Sequence, residues 1–155
     1  MQQSQRTKLL EAYQALPADL QIIVNFLAVY CSYCSLINIA KALAGLGIKE
    51  GSRVLKSETV KARLRPLIAE GLLEENVRPG GTRCSRALVE VITRRLIADK
   101  EFEMYAAEAL ALNPPGKGYY RYNTADDCIR EARIHFHRGD YQQMQVCLED
   151  HAHKL

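Results

Sequence analysis

The sequence predicts a mainly α-helical protein that contains one short β-hairpin, and three observations lead to this fold class. Apolar residues recur at the spacing of one helix face along most of the chain. A single turn, Pro79-Gly80-Gly81, separates two short segments that can pair as strands. The 155 residues, 48% of them hydrophobic and 25% charged, have the composition of a globular chain that folds around a core.

The first part of the chain predicts three consecutive helices. The first is short and ends at Pro17, which also begins the second. From Pro17 to Cys34 almost every position is apolar, which is typical of a central helix that others surround. Ser35 is expected to cap the third helix, which has apolar residues at helical spacing and ends near Gly45.

A fourth helix is predicted from Ser57, whose side chain can cap its first turn, to Gly71, which stops it. Its apolar stripe consists of Val60, Leu64, Leu67 and Ile68. Because Pro66 removes a backbone donor, this helix is expected to be short or kinked, with Pro66 on the side away from the stripe. After the hairpin, Ser85 is expected to open a helix that runs to about Ala98.

These patterns divide the chain into five segments. They are an N-terminal helix at 1–16, a compact module at 17–90, a helical extension at 91–112, a linker at 113–124 and a helical hairpin at 125–155. Gly139 and Asp140 join the two helical patterns of the last segment. In the linker, Lys117 and Arg121 alternate with tyrosines, which can stack on unpaired bases or anchor the linker to the core.

Positive charge is concentrated in the middle of the sequence. Between Lys49 and Lys100 there are twelve basic and seven acidic side chains, whereas the whole chain has a net charge of +3. The flanking segments together are therefore acidic. We expect an anionic partner to bind the central module.

Features of exported and membrane proteins are not expected in this chain. The longest apolar run, Ile22 to Cys31, contains Asn25 and is too short to span a bilayer, and the first residues are polar. The five cysteines are an odd number without the pattern of a disulfide framework. Reduced thiols, a cytoplasmic location and no membrane partner are therefore expected.

The order of elements carries a family resemblance. A core helix, a capped helix, a loop, the segment SETVKARLRPLIAEGLL and a glycine-turn hairpin resemble the winged helix-turn-helix family between about residues 17 and 90. This resemblance implies three helices plus a short β-hairpin, followed here by C-terminal helical hairpins. It also implies that the fourth helix enters the major groove of DNA while the hairpin acts as a wing.

Candidate nucleic-acid contacts lie at three places in this module. The outer face of the fourth helix offers cations, its N-terminus offers free backbone amides, and two arginines flank the hairpin turn. The candidates are Lys56, Ser57, Thr59, Lys61, Arg63, Arg65, Arg78 and Arg83. Among them, Arg65 is the best placed to contact a base, and Arg78 and Arg83 are expected to contact phosphate with little effect on fold stability.

The alternative function is a protein-interaction or scaffold module without nucleic-acid contact, because this fold serves several purposes. The segment IREARIHFHRGDYQQMQVCLEDH resembles a tetratricopeptide-type hairpin through its Gly139-Asp140-Tyr141 turn. A single hairpin of this type needs a neighbour to bury its apolar face, so remaining domains of a larger chain are possible partners. A winged helix followed by helical hairpins is similar to the N-terminal region of some large bacterial helicase-like or regulatory proteins.

Enzymatic and metal chemistry is not predicted. Cys31 and Cys34 form a CxxC without a second CxxC, which favours thiols in the core over a metal site. The four histidines form two HxH pairs whose members lie on different helix faces. A pair such as Cys147 with His135 has no sign of an activated thiolate, and no glycine pair forms a phosphate-binding loop. We expect no catalytic residue, no metal and no cofactor.

Overall fold

A computed structural model describes residues 3–78, 80–112 and 125–150 of the chain. In these ranges the helices are α1 Gln3–Gln14, α2 Ala18–Tyr30, α3 Leu36–Gly45, α4 Ser57–Ala69, α5 Arg86–Ala98, α6 Phe102–Leu112, α7 Ala125–His137 and α8 Tyr141–Asp150, and the strands are β1 Leu73–Glu75 and β2 Thr82–Cys84. This confirms the mainly helical fold class with one short hairpin. None of the helices described here has both the length and the hydropathy needed to cross a membrane. The predicted linker at 113–124 lies outside the described residues.

Helix α2 is the centre of the fold. All its side chains from Ile23 to Tyr30 are buried, because α5 and α6 pack on it and α1, α3 and the hairpin add further contacts. The prediction of a central helix is confirmed, but its extension to Cys34 was wrong. The helix ends at Tyr30 because Cys31 adopts a left-handed φ of 69° and donates its N–H to the carbonyl of Leu27 at 2.9 Å.

The β1–β2 hairpin has a fixed register, and a third segment of backbone pairs with β2. Leu73 lies opposite Cys84 and Glu75 opposite Thr82. On its other side, Thr82 exchanges two backbone hydrogen bonds with Cys34, at 2.9 and 3.0 Å. Gly81 permits this close approach, because a Cβ at its φ of +117° would lie 3.0 Å from Cβ of Tyr33. The segment between α2 and α3 therefore supports the base of the hairpin.

A buried polar chain crosses the core beside α2. The hydroxyl of Tyr13 on α1 donates to Oδ1 of Asn25, and Nδ2 of Asn25 donates to the hydroxyl of Tyr105 on α6 at 3.1 Å. All three residues are buried. Because buried polar groups are costly without partners, these bonds fix the positions of α1 and α6 on α2.

The C-terminal hairpin, α7 with α8, packs differently. Its own buried apolar cluster consists of Cys128, Ala132 and Cys147, and Ile134 alone of its residues belongs to the main core. Arg130 joins it to the end of α2: its Nε donates to the carbonyl of Tyr30 at 2.9 Å and its guanidinium lies 3.6 Å from the centre of the Tyr30 ring. Arg130 also donates hydrogen bonds to Asp127 and to the hydroxyl of Ser32.

Two further arginines, one on α7 and one directly after it, reach the main core. Arg133 pairs with Glu90 on α5 at 2.5 Å, and Arg138 donates to Glu103 on α6 from Nε and Nη2. Both acidic partners are more than half exposed to solvent. These two pairs therefore orient α7 more than they stabilise it.

Candidate nucleic-acid interface

Helix α4 presents the predicted apolar face to the core. Val60, Leu64 and Leu67 are buried, and α3 packs against the same side. The helix runs unbroken through Pro66, which is exposed, so the expectation of a short helix was wrong. It ends where expected, since Gly71 adopts a left-handed φ of +81° two residues beyond Ala69.

The N-terminus of α4 differs from the prediction. Ser57 is the first helical residue, Lys56 occupies the N-cap position, and neither side chain makes a capping hydrogen bond. The prediction that Ser57 caps the helix was therefore wrong. Ser57 is exposed and Thr59 is half-buried, and within the described ranges no side chain caps the amides of the first turn. Such amides can bind a phosphate oxygen.

A groove of about 490 Å³ separates α4 from the hairpin. Lys61 and Arg65 line it on the α4 side together with Leu64 and Ile68. The hairpin side consists of the residues next to the turn, with Glu75 as the acidic member, and Leu36 from the start of α3 closes one end. The groove thus combines an apolar floor with two cations and one carboxylate.

Two of the eight candidate residues already have ionic partners. Nη1 of Arg63 lies 3.1 Å from Oδ2 of Asp19 at the start of α2. Arg83 lies directly across the hairpin from Glu74, contacts its carboxylate at 2.8 Å and covers the ring of Tyr33 at 4.5 Å. Arg83 therefore stabilises the β1–β2 hairpin, and replacing it is expected to lower the stability of the fold.

Four candidate cations are exposed and have no ion pair with any residue that the structure describes. They are Lys56, Lys61, Arg65 and Arg78. The backbone N–H of Arg78 donates to Oδ1 of Asn76 at 3.2 Å, which shapes the hairpin turn and leaves the guanidinium on the surface. The exposed carboxylate of Glu58 lies in the first turn of α4 and lowers the net positive charge of this surface.

Two exposed apolar side chains, one of them in the groove lining, were not predicted from the sequence. Val77 at the hairpin turn is 83% exposed and Ile37 on α3 is 62% exposed. Ile37 had a signal, because it falls off the apolar face of α3 defined by Ile39 and Leu43. Val77 had none, since a turn residue has no periodicity to violate.

Two buried thiols lie at the base of the β1–β2 hairpin: Cys84 ends β2, and Cys34 pairs with Thr82. Burial raises the pKa of Cys34 to about 12, and the charge of Arg130 opposes this rise only in part. Burial also raises the pKa of Cys84, with further increases from Cys31 and Glu74. Both thiols are therefore protonated core groups at neutral pH.

Comparison with family models, with curated proteins and with solved structures finds no match to this chain.

Proposed function

We propose that residues 17–90 form a winged helix-turn-helix module that binds duplex DNA. In this proposal α4 is the recognition helix, the β1–β2 hairpin is the wing and Cys34 supplies the short strand that joins the wing to the helices. The module binds without catalysis and serves a larger regulatory or DNA-processing protein in the cytoplasm. The C-terminal hairpin, which resembles one tetratricopeptide unit, connects it to other domains or partners.

One observation carries the proposal: exposed cations that have no ion pair with any described residue lie on α4 and at the hairpin turn, on either side of one groove's lining. Lys61 and Arg65 line the groove from α4, and Arg78 directly follows Val77, which lines it on the hairpin side. A duplex seated on α4 would meet all three, because a wing next to a recognition helix reaches the adjacent phosphates. Lys56 and the uncapped amides of α4 add a fourth contact to the backbone.

The test compares two triple variants with the same net charge. One is Lys61→Ala/Arg65→Ala/Arg78→Ala, and the matched control is Arg6→Ala/Lys8→Ala/Arg94→Ala, whose residues are exposed on α1 and α5. Binding of a fluorescent duplex is measured by anisotropy over a series of salt concentrations. We expect the first variant to flatten the plot of log affinity against log salt by about 2 to 3, since each phosphate contact contributes about 0.9.

The control variant should keep most of the salt slope of the parent chain. Equal loss in both variants, or no binding of any duplex at low salt, would contradict the proposal. Arg65→Ala alone should change the preference between sequences by about 1 to 3 kcal/mol if Arg65 contacts a base. Single-stranded DNA and RNA duplexes in the same assay test whether B-form DNA is the preferred ligand.

The apolar side chains at the groove favour a second candidate function, which is binding of a protein partner. Val77 is exposed and lines the groove together with Leu36 and Ile68, and the C-terminal hairpin exposes the ring pair Phe136 and Tyr141. The variant Val77→Asp separates the two functions. A protein-binding groove would lose its partner, whereas DNA affinity would fall by less than for loss of Arg78.

A further inference from the structure

Three metal-binding side chains converge inside the C-terminal hairpin, away from the proposed DNA surface. Glu131 and His135 are one turn apart on α7, and Cys147 faces them from α8. One ligand atom from each lies within 4.8 Å of the other two. Oε1 of Glu131 is 3.6 Å from Nε2 of His135 and also 3.6 Å from Sγ of Cys147.

These distances fit ligands of one metal ion. In tetrahedral zinc sites the bonds of about 2.0 to 2.3 Å place oxygen, nitrogen and sulfur ligands roughly 3.3 to 3.6 Å from each other. The two measured separations are at the upper end of that range. The third separation, between His135 and Cys147, is below 4.8 Å.

The surroundings of His135 provide a second, independent observation. Its Nδ1 is buried and has no hydrogen-bond partner among the described residues. Its Nε2 is 3.6 Å from Glu131, which exceeds the usual length of a hydrogen bond. The His135 side chain is 12% exposed and has no good partner at either nitrogen among the described residues, and a metal bound at Nε2 would supply a partner to that atom.

We propose that Glu131, His135 and Cys147 form a zinc-binding site that joins α7 to α8. Thiolate and imidazole ligands select zinc over magnesium or calcium, and the carboxylate is a third ligand that zinc accepts. These side chains fill three of the four tetrahedral positions. The site has a structural purpose, because the buried apolar cluster of this hairpin is small and α8 packs mainly against α7.

The primary test titrates the full chain, stripped of metal by a chelator and dialysed, with Zn²⁺ against a chromophoric competitor. One equivalent should bind. The variants Cys147→Ser and His135→Gln should each lower zinc affinity about 100-fold or more, since even outer partners of a ligand can contribute that much. The controls Cys31→Ser and His137→Gln carry the same substitutions outside the site and should keep the parent affinity.

Cobalt provides a readout of the ligands themselves. Bound Co²⁺ should give the charge-transfer absorption of a single thiolate together with the visible bands of a tetrahedral site. Cys147→Ser should abolish the charge-transfer band, whereas Glu131→Gln, which preserves shape, should shift the visible bands. A parent chain without these bands, or a Cys147→Ser chain with unchanged zinc affinity, would overturn the proposal.

Hydrogen exchange tests the structural purpose even where a variant folds poorly, because it uses the parent chain alone. Zinc should slow amide exchange in α7 and α8 and leave the amides of α2 unchanged. Binding that slows α2 and the hairpin base instead would place the metal at Cys31 and Cys34, contrary to the proposal.

Discussion

The main core and the C-terminal hairpin are stabilised in different ways. Helices α1 to α6 and the β-hairpin share one continuous cluster of buried side chains around α2, whereas the α7–α8 hairpin has a buried cluster of three residues. The α7–α8 hairpin is attached to the main core by arginines, which contact a backbone carbonyl oxygen and carboxylate oxygens. Burial gives the core its stability, and directed polar contacts give the hairpin its position.

The largest expected effect is a cavity in the centre of the core. Leu27 on α2 is fully buried, and Leu27→Ala should lower the free energy of unfolding by about 2 to 5 kcal/mol. Leu148→Ala in the hairpin, where the side chain is only partly buried, is the matched control and should leave the main unfolding transition almost unchanged. Urea unfolding followed by circular dichroism measures both. Equal effects would mean that the two regions unfold as one unit.

The second prediction concerns the attachment of the hairpin. Arg130 is 5% exposed, and Arg130→Ala should weaken docking of α7 by about 2 to 3 kcal/mol, because hydrogen bonds from a charged donor are lost in a buried place. Arg138→Ala removes a pair whose acid is exposed and should cost less than about 1 kcal/mol. Amide exchange in α7 reports the difference. Similar exchange rates in the two variants would show that Arg130 contributes no more than Arg138 to the docking of α7.

A smaller effect is expected from the polar chain in the core. Tyr13→Phe leaves Oδ1 of Asn25 without this donor and should lower global stability by about 1 to 2 kcal/mol. Tyr141→Phe, at an exposed ring in the hairpin, is the control and should change stability by less than about 0.5 kcal/mol. Thermal unfolding of both variants checks this. An unfolding temperature of Tyr13→Phe equal to that of the parent chain would show that the Tyr13–Asn25 hydrogen bond adds no net stability.

The fourth prediction is a loss of stability at alkaline pH. Folding raises the pKa of Cys34 from 9.0 to about 12 and that of Tyr30 from 10.0 to about 12, both mainly through burial. The unfolded chain therefore releases protons that the folded chain keeps, so stability is complete below pH 9 and falls as the pH rises towards 12.

Each proton that the unfolded chain releases lowers stability by at most about 1.4 kcal/mol per pH unit. Urea unfolding at pH about 8 and about 10.5 should show a shallower decline for Cys34→Ala than for Cys31→Ala, which removes a half-buried thiol. If stability fell equally steeply with pH in both variants, the alkaline loss of stability would not come from Cys34.

The sequence predicted the elements well where one physical signal dominated. Apolar residues on nearly every side of α2 indicated its central position, Ser35 caps α3 with a hydrogen bond to the N–H of Asn38, and the glycine turn marked the hairpin. The errors have local causes. Cys31 ends α2 in a conformation that non-glycine residues rarely adopt, and Ser57 joined the helix instead of capping it.

The two candidate sites were harder to predict than the secondary structure, because they depend on contacts between residues that are far apart in the sequence. Nothing in the sequence distinguishes Arg83, which pairs with Glu74, from Arg78, which remains free. The zinc ligands had a partial signal, since Glu131 and His135 are four residues apart on one helix. Their convergence with Cys147 requires the exact pairing of α7 with α8, which periodicity alone does not fix.

The contacts of Arg130 also determine an order of folding. They join residues 100 and 98 positions apart along the chain, so they close a very long loop. The carbonyl and ring of Tyr30 take the positions that Arg130 contacts only when α2 has formed. We therefore expect the main core to fold first and the C-terminal hairpin to dock last, both in refolding and as the chain leaves the ribosome.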